Sequence, residues 1–289
     1  MELEAKNDNE FITAIQKFTK IKKIAEPLIV AGKNSFEASG AKILFERAFE
    51  KKLTLFKDFT SNPTIVEINR GINEFENNSC DAVIAVGGGS SLDIGKSIAL
   101  LSQQEKPSID YVTKRRSISQ TRVPLCLVPT TAGTGSETTQ FSVVYINKSK
   151  YSLDHPSLLP DFAILYPKLT FSLSSQLTAI TGSDALAQAM EAYWNINSNT
   201  TSDSFATKAL ELILNNLKQA VNNEPRARKE MLRGSNLAGK AINITRTTAP
   251  HAISYFLTSY YTIPHGQAVV VTLPSFLEFN AGVSKVDTL

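Results

Sequence analysis

The stretch "DAVIAVGGGSSLDIGKSIALL", residues 81–101, limits the fold more than any other in the chain. Its first part, "DAVIAVG" (81–87), is an apolar run of the kind that a strand buried on both faces requires. Gly87, which ends that run, begins a set of three glycines, and from Ser90 apolar residues recur at helical spacing. A buried strand that turns directly into a helix is the repeating unit of a parallel sheet with helices on both faces. The same alternation surrounds it. "EPLIVAG" (26–32), "KLTLF" (52–56), "PLCLVPT" (124–130) and "FSVVYIN" (141–147) read as strands. "FEASGAKILFERAFE" (36–50) and "NPTIVEINRGINEFE" (62–76) read as helices, the second with Asn62 as its cap and Pro63 at its first position.

Beyond residue 166 the texture becomes helical throughout. "SLSSQLTAITG", "SDALAQAMEAYWNI", "SDSFATKALELILNNLKQAV" and "ARKEMLRGSNLAGKAI" all carry helical periodicity, with Ser202 or Asp203 as the cap of the third. The boundary falls around 150–167, near Pro156, Pro160 and Pro167, so the expected organisation is an α/β domain over 1–166 and an all-α domain over 167–289, with a site in the cleft between them.

Charge and composition remove several function classes. A net charge of +3 is too small to argue for nucleic acid, and "KRR" at 114–116 reads as a solvated loop. No run of about 18 apolar residues suggests a membrane span, and "MELEAKNDNE" is too polar for a signal peptide. Cys80 and Cys126 lie in apolar runs and read as buried free thiols, which points to a reducing cytoplasm. A homo-oligomer is compatible with the sequence, which does not specify one.

Two glycine-spaced stretches carry the ligand-binding signal. Gly87, Gly88, Gly89 and Ser90 stand where free N–H groups at a helix start form an anion cradle, although a tight turn that binds nothing has the same residues. A Walker-type phosphate loop fits poorly. Five residues separate Gly89 from Gly95-Lys96-Ser97 where that motif has four, and Asp93 sits near a helix start that precedes the lysine. The second stretch, "VPTTAGTGSETT" (128–139), offers the hydroxyls of Thr130, Thr131, Thr134 and Ser136. It reads either as a polar loop or, paired with the first, as part of a site for a long, oxygen-rich ligand such as a dinucleotide.

A metal is suggested by residues far apart in the chain. Asp184 and Gln188 are at i and i+4 of one helix and share a face. Together with His251 and His265, the carboxylate makes an O,N,N set suited to Zn²⁺ or Fe²⁺ with positions left open for substrate. Spacing alone leaves equal room for two unrelated core or surface histidines. Gly266, beside His265, leaves space next to an imidazole.

The segments "GGGSSLDIGK", "PTTAGTGSE", "TGSDALAQAMEAYW", "APHAISY" and "IPHGQAVVVTLP" together resemble the iron-containing (group III) alcohol dehydrogenase family, over roughly residues 25–282. Within it, "DALAQAMEAYWNINS" and "AGKAINITRTTAPHAISY" look most like the phosphonoacetaldehyde reductase branch, which makes 2-hydroxyethylphosphonate. The resemblance implies a Rossmann-like N-terminal domain, a helical C-terminal domain, NAD or NADP as cofactor, and a divalent metal, Fe²⁺ or Zn²⁺. It assigns Gly88, Gly89, Ser90 and Asp93 to the pyrophosphate region. Thr130, Thr131, Thr134 and Ser136 fall along the cofactor, and Lys150 near its ribose. Asp184, His251 and His265 become metal ligands. Asp58, after the second strand, is placed to meet a ribose hydroxyl, though Lys57 beside it leaves the choice of cofactor open. Lys240 and Arg246 are the candidate cations for a phosphonate.

The chain also departs from the family pattern. Gln188 stands where the family usually has histidine, which substitutes an amide oxygen for an imidazole. Tyr255 replaces another frequent histidine, with a phenol able to donate a proton or simply to pack. The early end at Leu289 is expected to leave the helical domain incomplete. The expected activity is reversible reduction of a small aldehyde, with a dehydroquinate synthase-like NAD/zinc lyase and a non-catalytic truncated family member as alternatives. Expected partners are small molecules only, with neither nucleic acid nor membrane.

Overall fold

The computed structural model describes residues 1–119 and 121–282. In chain order the strands are β1 (Glu2–Glu4), β2 (Pro27–Ala31), β3 (Thr54–Phe56), β4 (Ala82–Gly87), β5 (Leu125–Pro129), β6 (Phe141–Ile146), β7 (Ser149–Asp154) and β8 (Phe162–Leu165). The helices are α1 (Asp8–Lys22), α2 (Ser35–Ala38), α3 (Ala41–Phe49), α4 (Ile65–Asn77), α5 (Gly89–Leu101), α6 (Ile109–Val112), α7 (Ser175–Trp194), α8 (Thr200–Val221), α9 (Pro225–Thr245), α10 (Ala249–Tyr261) and α11 (His265–Asn280). These elements form two compact units: 1–130 with 140–172, and 131–139 with 173–289.

The first unit is built on a six-stranded parallel sheet in the order β1-β8-β5-β4-β2-β3. Alternation along the strands gives each face its own core. Leu28, Val30, Val83, Ala85, Leu125 and Leu127 point to one side, where they meet α4 and α5 through Ile68, Ile72, Ile94 and Ile98. Ile29, Ala31, Ile84, Val86, Cys126 and Val128 point to the other, where they meet α1 and α3 through Phe11, Ile15, Phe18 and Phe45. Both faces are therefore apolar, which is why the strands read as unbroken hydrophobic runs rather than as alternating ones. An antiparallel hairpin, β6–β7, packs on α5. It is held there by Lys96 Nζ donating to the Phe141 carbonyl at 3.0 Å and by the hydroxyl pair Ser97–Ser142 at 2.8 Å.

Several details differ from the sequence reading. Gly40, at φ 79°, breaks the expected 36–50 helix into α2 and α3. The cap of α4 is Thr64 rather than Asn62. Its hydroxyl accepts from Glu67 N while the Glu67 carboxylate accepts from Thr64 N, and this reciprocal pair fixes the first helical residue at Ile65, two past Pro63. The cap of α8 is Asn199 rather than Ser202 or Asp203, with Ser202 as the reciprocal partner. The two segments before Trp194 are one helix, α7, which runs through Gly182. Leu158 and β8 are buried in the sheet unit, and Leu169 packs into the same core as Phe162. The first unit therefore runs past Pro167 to residue 172.

The second unit is helical, as the sequence implies. Its extra segment, 131–139, lies on α9: Asn236 Nδ2 donates to Glu137 Oε1 at 3.1 Å. A methyl on Gly135 would sit 2.6 Å from Gly239 Cα, so both positions require glycine. Cys80 and Cys126 are buried free thiols, and burial pushes Cys80 up to about 11, which makes it unreactive. Among the described residues no helix is long and apolar enough to cross a membrane.

Candidate metal centre and nucleotide cradle

In the second unit, three helices bring one carboxylate and two imidazoles together. Asp184 lies in the middle of α7, His251 in the first turn of α10 and His265 at the first position of α11. One donor atom from each lies within 4.8 Å of the other two. Apolar packing sets this geometry: Val269 and Leu273 of α11 bury against Ala187 of α7. Gly266 contributes in a way its sequence context does not reveal. A Cβ there would come 2.2 Å from the Ile180 carbonyl oxygen, so the glycine allows α11 to start against the backbone of α7.

The donors converge on one oxygen. Asp184 Oδ1 is 3.3 Å from His251 Nε2 and 3.9 Å from His265 Nε2. Ligands about 2.1 Å from a tetrahedral ion are roughly 3.4 Å apart, so the cluster is near the right size for a shared cation. Asp184 and His251 are buried, while the His265 side chain is 37% exposed, so solvent reaches the cluster from that side. Gln188 Nε2 donates to Asp184 Oδ2 at 3.2 Å. Its Oε1 is buried and makes no hydrogen bond, an orphaned acceptor next to the donor set. Burial disfavours the charged form of His251, but hydrogen bonds and charge from Asp184 and Glu191 outweigh it and hold the ring up at about 9.

Glu191 is the residue the sequence reading missed. It is fully buried on α7, and its carboxylate contacts His251 Nδ1. The signal was available: Asp184, Gln188 and Glu191 stand at i, i+4 and i+7, one polar stripe in the otherwise apolar stretch 184–192.

In the first unit the glycine turn lies at the carboxyl end of β4. Gly87 has φ 150°, Gly88 precedes the first turn of α5, and a Cβ on Gly87 would fall 2.3 Å from Ser91 Oγ. A second glycine turn, at Gly32 after β2, lies beside it: the same Cβ would be 3.9 Å from Gly32 N. Strand order reverses between β2 and β4, and in open parallel sheets ligands bind at such a reversal, outside the carboxyl ends of the strands. The helix begins before Gly95-Lys96, and the Lys96 ammonium is buried on Phe141, so the turn is no Walker loop. Gly95 instead lets α5 press on β4, since a methyl there would sit 2.4 Å from Ala85 Cβ.

Family models match both units: iron-containing alcohol dehydrogenase over residues 9–167, and the C-terminal part of the same family over 178–287. The chain belongs to the iron-containing alcohol dehydrogenase family. It is 38% identical over 224 residues to long-chain-alcohol dehydrogenase 1 of Geobacillus thermodenitrificans, a match covering 76% of this chain and 57% of that one. It is 38% identical over 237 residues to the probable alcohol dehydrogenase EutG of Escherichia coli, covering 81% and 60%. Sulfoacetaldehyde reductase from Bifidobacterium kashiwanohense, solved with NAD⁺, superposes with a TM-score of 0.91 at 32% identity, covering 97% of this chain and 75% of that one. The chain spans about three fifths of the length of these two curated relatives.

The remaining candidate residues of this family member are placed as follows. Ser90 Oγ donates to the Ser61 carbonyl. Asp93 is spent internally, its Oδ2 accepting from Val143 N at 3.0 Å. Thr130 N donates to the Gly87 carbonyl at 2.9 Å, which ties the end of β5 to the glycine turn. Thr131, Thr134 and Ser136 belong to the segment on α9, where Thr134 Oγ1 accepts from Ser136 N at 3.3 Å. Lys150 is on β7 opposite Tyr145. Asp58 follows β3, exposed and 3.2 Å from Arg70. Tyr255 stacks on His265, with centroids 6.0 Å apart and planes at 18°. Lys240 lies 6.0 Å over the Phe205 ring, and Arg246 donates to the Asn243 carbonyl at 2.7 Å.

Proposed function

We propose that this protein is a metal-dependent, NAD(P)-linked alcohol dehydrogenase that interconverts a small aldehyde and its alcohol. The reading is carried by the meeting of Asp184, His251 and His265, one carboxylate and two imidazoles from three helices, with both ring Nε2 atoms close to Asp184 Oδ1. Asp184, His251 and His265 are the residues that would hold the ion, with Gln188 Oε1 as a further oxygen donor beside them. The glycine turns after β2 and β4, with the N-terminus of α5, would take the cofactor pyrophosphate. When bound, the ion supplies Lewis-acid polarisation of a carbonyl and the nicotinamide supplies the hydride.

The protein's own share is orientation and charge. Asp184 brings one negative charge to a buried site, and Gln188 Nε2 holds that carboxylate in place through its second oxygen. Tyr255 covers one face of the His265 ring, which limits its rotation. We further propose phosphonoacetaldehyde as the first substrate to test. Support comes from the branch-like segments around Asp184 and His251, and from the likeness to a reductase of sulfoacetaldehyde, another two-carbon aldehyde with a tetrahedral anionic group. Lys240 and Arg246 are the cations proposed to meet that group, although Phe205 and Asn243 engage them here.

The test is oxidation of NADH and of NADPH by the purified chain. It is run with phosphonoacetaldehyde, sulfoacetaldehyde and propanal, each with and without a chelator. Chelator-sensitive loss of reduced cofactor with any aldehyde supports the dehydrogenase, and preference for the phosphonate supports the finer assignment. Turnover with no net change in cofactor would point to a lyase of the dehydroquinate synthase type. Absence of any reaction by protein with stoichiometric zinc or iron would refute both.

A further inference from the structure

We infer that Glu191 and Ser254 are positioning residues that fix the ring tautomers of His251 and His265, so that both Nε2 lone pairs face Asp184. The inference rests on the divalent-ion reading above, but it is carried by the ring nitrogens that reading does not use.

A neutral imidazole carries its proton on one nitrogen and a lone pair on the other, and only the lone pair can ligate a cation. The partner of the non-ligating nitrogen decides which is which. His251 Nδ1 lies against Glu191 Oε1. A carboxylate only accepts, so the ring donates from Nδ1 to Glu191. The charged ring donates from Nε2 to Asp184 Oδ1 as well, 3.3 Å away. When the ring is neutral or holds an ion, the Nδ1 proton stays with the Glu191 contact and the lone pair is left on Nε2.

The same logic applies to His265 through a hydroxyl. Ser254 has one hydrogen, which it donates to the His251 carbonyl at 2.7 Å. Its oxygen can then only accept from His265 Nδ1, 3.3 Å away. His265 therefore also donates from Nδ1, and its Nε2 lone pair faces Asp184 Oδ1 at 3.9 Å.

Glu191 is itself locked in place. Its Oε2 accepts from Thr248 N and, at 2.8 Å, from Thr248 Oγ1. Thr248 Oγ1 in turn accepts from Trp194 Nε1 at 3.1 Å. These donors require an oxygen at the Oε2 position. In E191Q the amide oxygen must therefore take that place and the NH₂ must face His251 Nδ1. The ring would then have to accept at Nδ1 and carry its proton on Nε2, turned against the ion. A near-isosteric change is thus expected to reverse one tautomer.

The experiment uses Zn²⁺ as probe and ¹⁵N-histidine-labelled chain, which has three histidines to assign. Zinc affinity is measured by chelator competition for wild type, E191Q and S254A. The ring-nitrogen pattern is recorded with zinc and, at alkaline pH, without it. Wild type is expected to show Nδ1–H for both His251 and His265. E191Q should move the His251 proton to Nε2 and weaken zinc about ten- to a hundredfold. S254A should disturb His265 alone, with a smaller, several-fold loss. Wild-type zinc affinity within twofold in E191Q, or an Nε2–H tautomer of either ring in wild type, would overturn the inference. If E191Q does not fold, an unchanged His265 pattern and zinc affinity in S254A would do so. If wild type binds no zinc, the metal reading fails, and the metal-free ring pattern still decides the tautomers.

Discussion

Substituting Gly266 by alanine tests whether the start of α11 sets the candidate metal site. The added Cβ would lie 2.2 Å from Ile180 O, 3.0 Å from Ile180 C and 3.1 Å from Asp184 Cβ. The first of these is more than 1 Å inside ordinary van der Waals contact. None of the three atoms is the far end of a flexible side chain, so relief must come from moving one helix away from the other by about 1 Å. His265, the preceding residue, moves with α11 and takes its Nε2 away from Asp184 Oδ1, already 3.9 Å distant. Metal sites tolerate errors of about 0.2 Å in ligand distance, so a shift of that size removes His265 as a ligand. Overpacking costs about 1–3 kcal/mol, which for a unit of this size lowers Tm by roughly 2–12 °C. The loss of zinc affinity should exceed tenfold. Trp194 is the chain's one tryptophan and lies in α7, so its fluorescence follows unfolding of the helical unit while chelator competition reads the ion. A variant with both Tm and zinc affinity unchanged would show that the close approach of α11 to α7 does not set the site.

Other outcomes follow from single contacts. His251 is held up at about 9, above its ordinary 6.5, so in metal-free protein it keeps its proton until that pH; the charged ring stabilises the fold below 6.5 and that contribution is lost as pH rises through about 9. Zinc must displace this proton, so zinc affinity should rise by up to about tenfold per pH unit and flatten above about pH 9; a flat profile over that range would contradict it. Q188H should bind zinc at least about tenfold more tightly, since imidazole is the better ligand; weaker binding would mean that the hold of Gln188 on Asp184 Oδ2 matters more. Despite its burial, Asp161 is lowered to about 2 by hydrogen bonds from Arg122, Lys22 and Leu125 N. Its contribution is therefore full above 3.8 and lost as pH falls toward 2. D161N should lower the urea midpoint at neutral pH, with the gap to wild type closing below about pH 4.

Much of the fold was legible because doubly buried strands cannot be written without long apolar runs, as in 81–87 and 124–130. β1 and β8 were not, since "ELE" is polar and partly exposed at the sheet edge and "FAIL" is only four residues long. Helix starts were misplaced wherever the cap was a reciprocal pair, as at Thr64–Glu67 and Asn199–Ser202, because the first polar residue in the run is not the one whose side chain turns back. Within the candidate centre, the ligand types were visible as residue types. Glu191 was not, because its role is set by the partner it meets 60 positions along the chain. Gly266 was noticed for the wrong reason: its neighbour is a carbonyl of α7, which no local pattern encodes.

The residues 131–139 are made before β6, β7 and β8, yet they pack with the helices that follow residue 172. A cut at 172/173 would therefore leave the helical fragment without the strand of backbone that fits against Gly239, and would leave that strand dangling from the other fragment. Fragment exchange between relatives should use a graft that carries 131–139 together with 173 onward. Hybrids joined at a single crossover take the two sides of the Gly135–Gly239 contact from different parents.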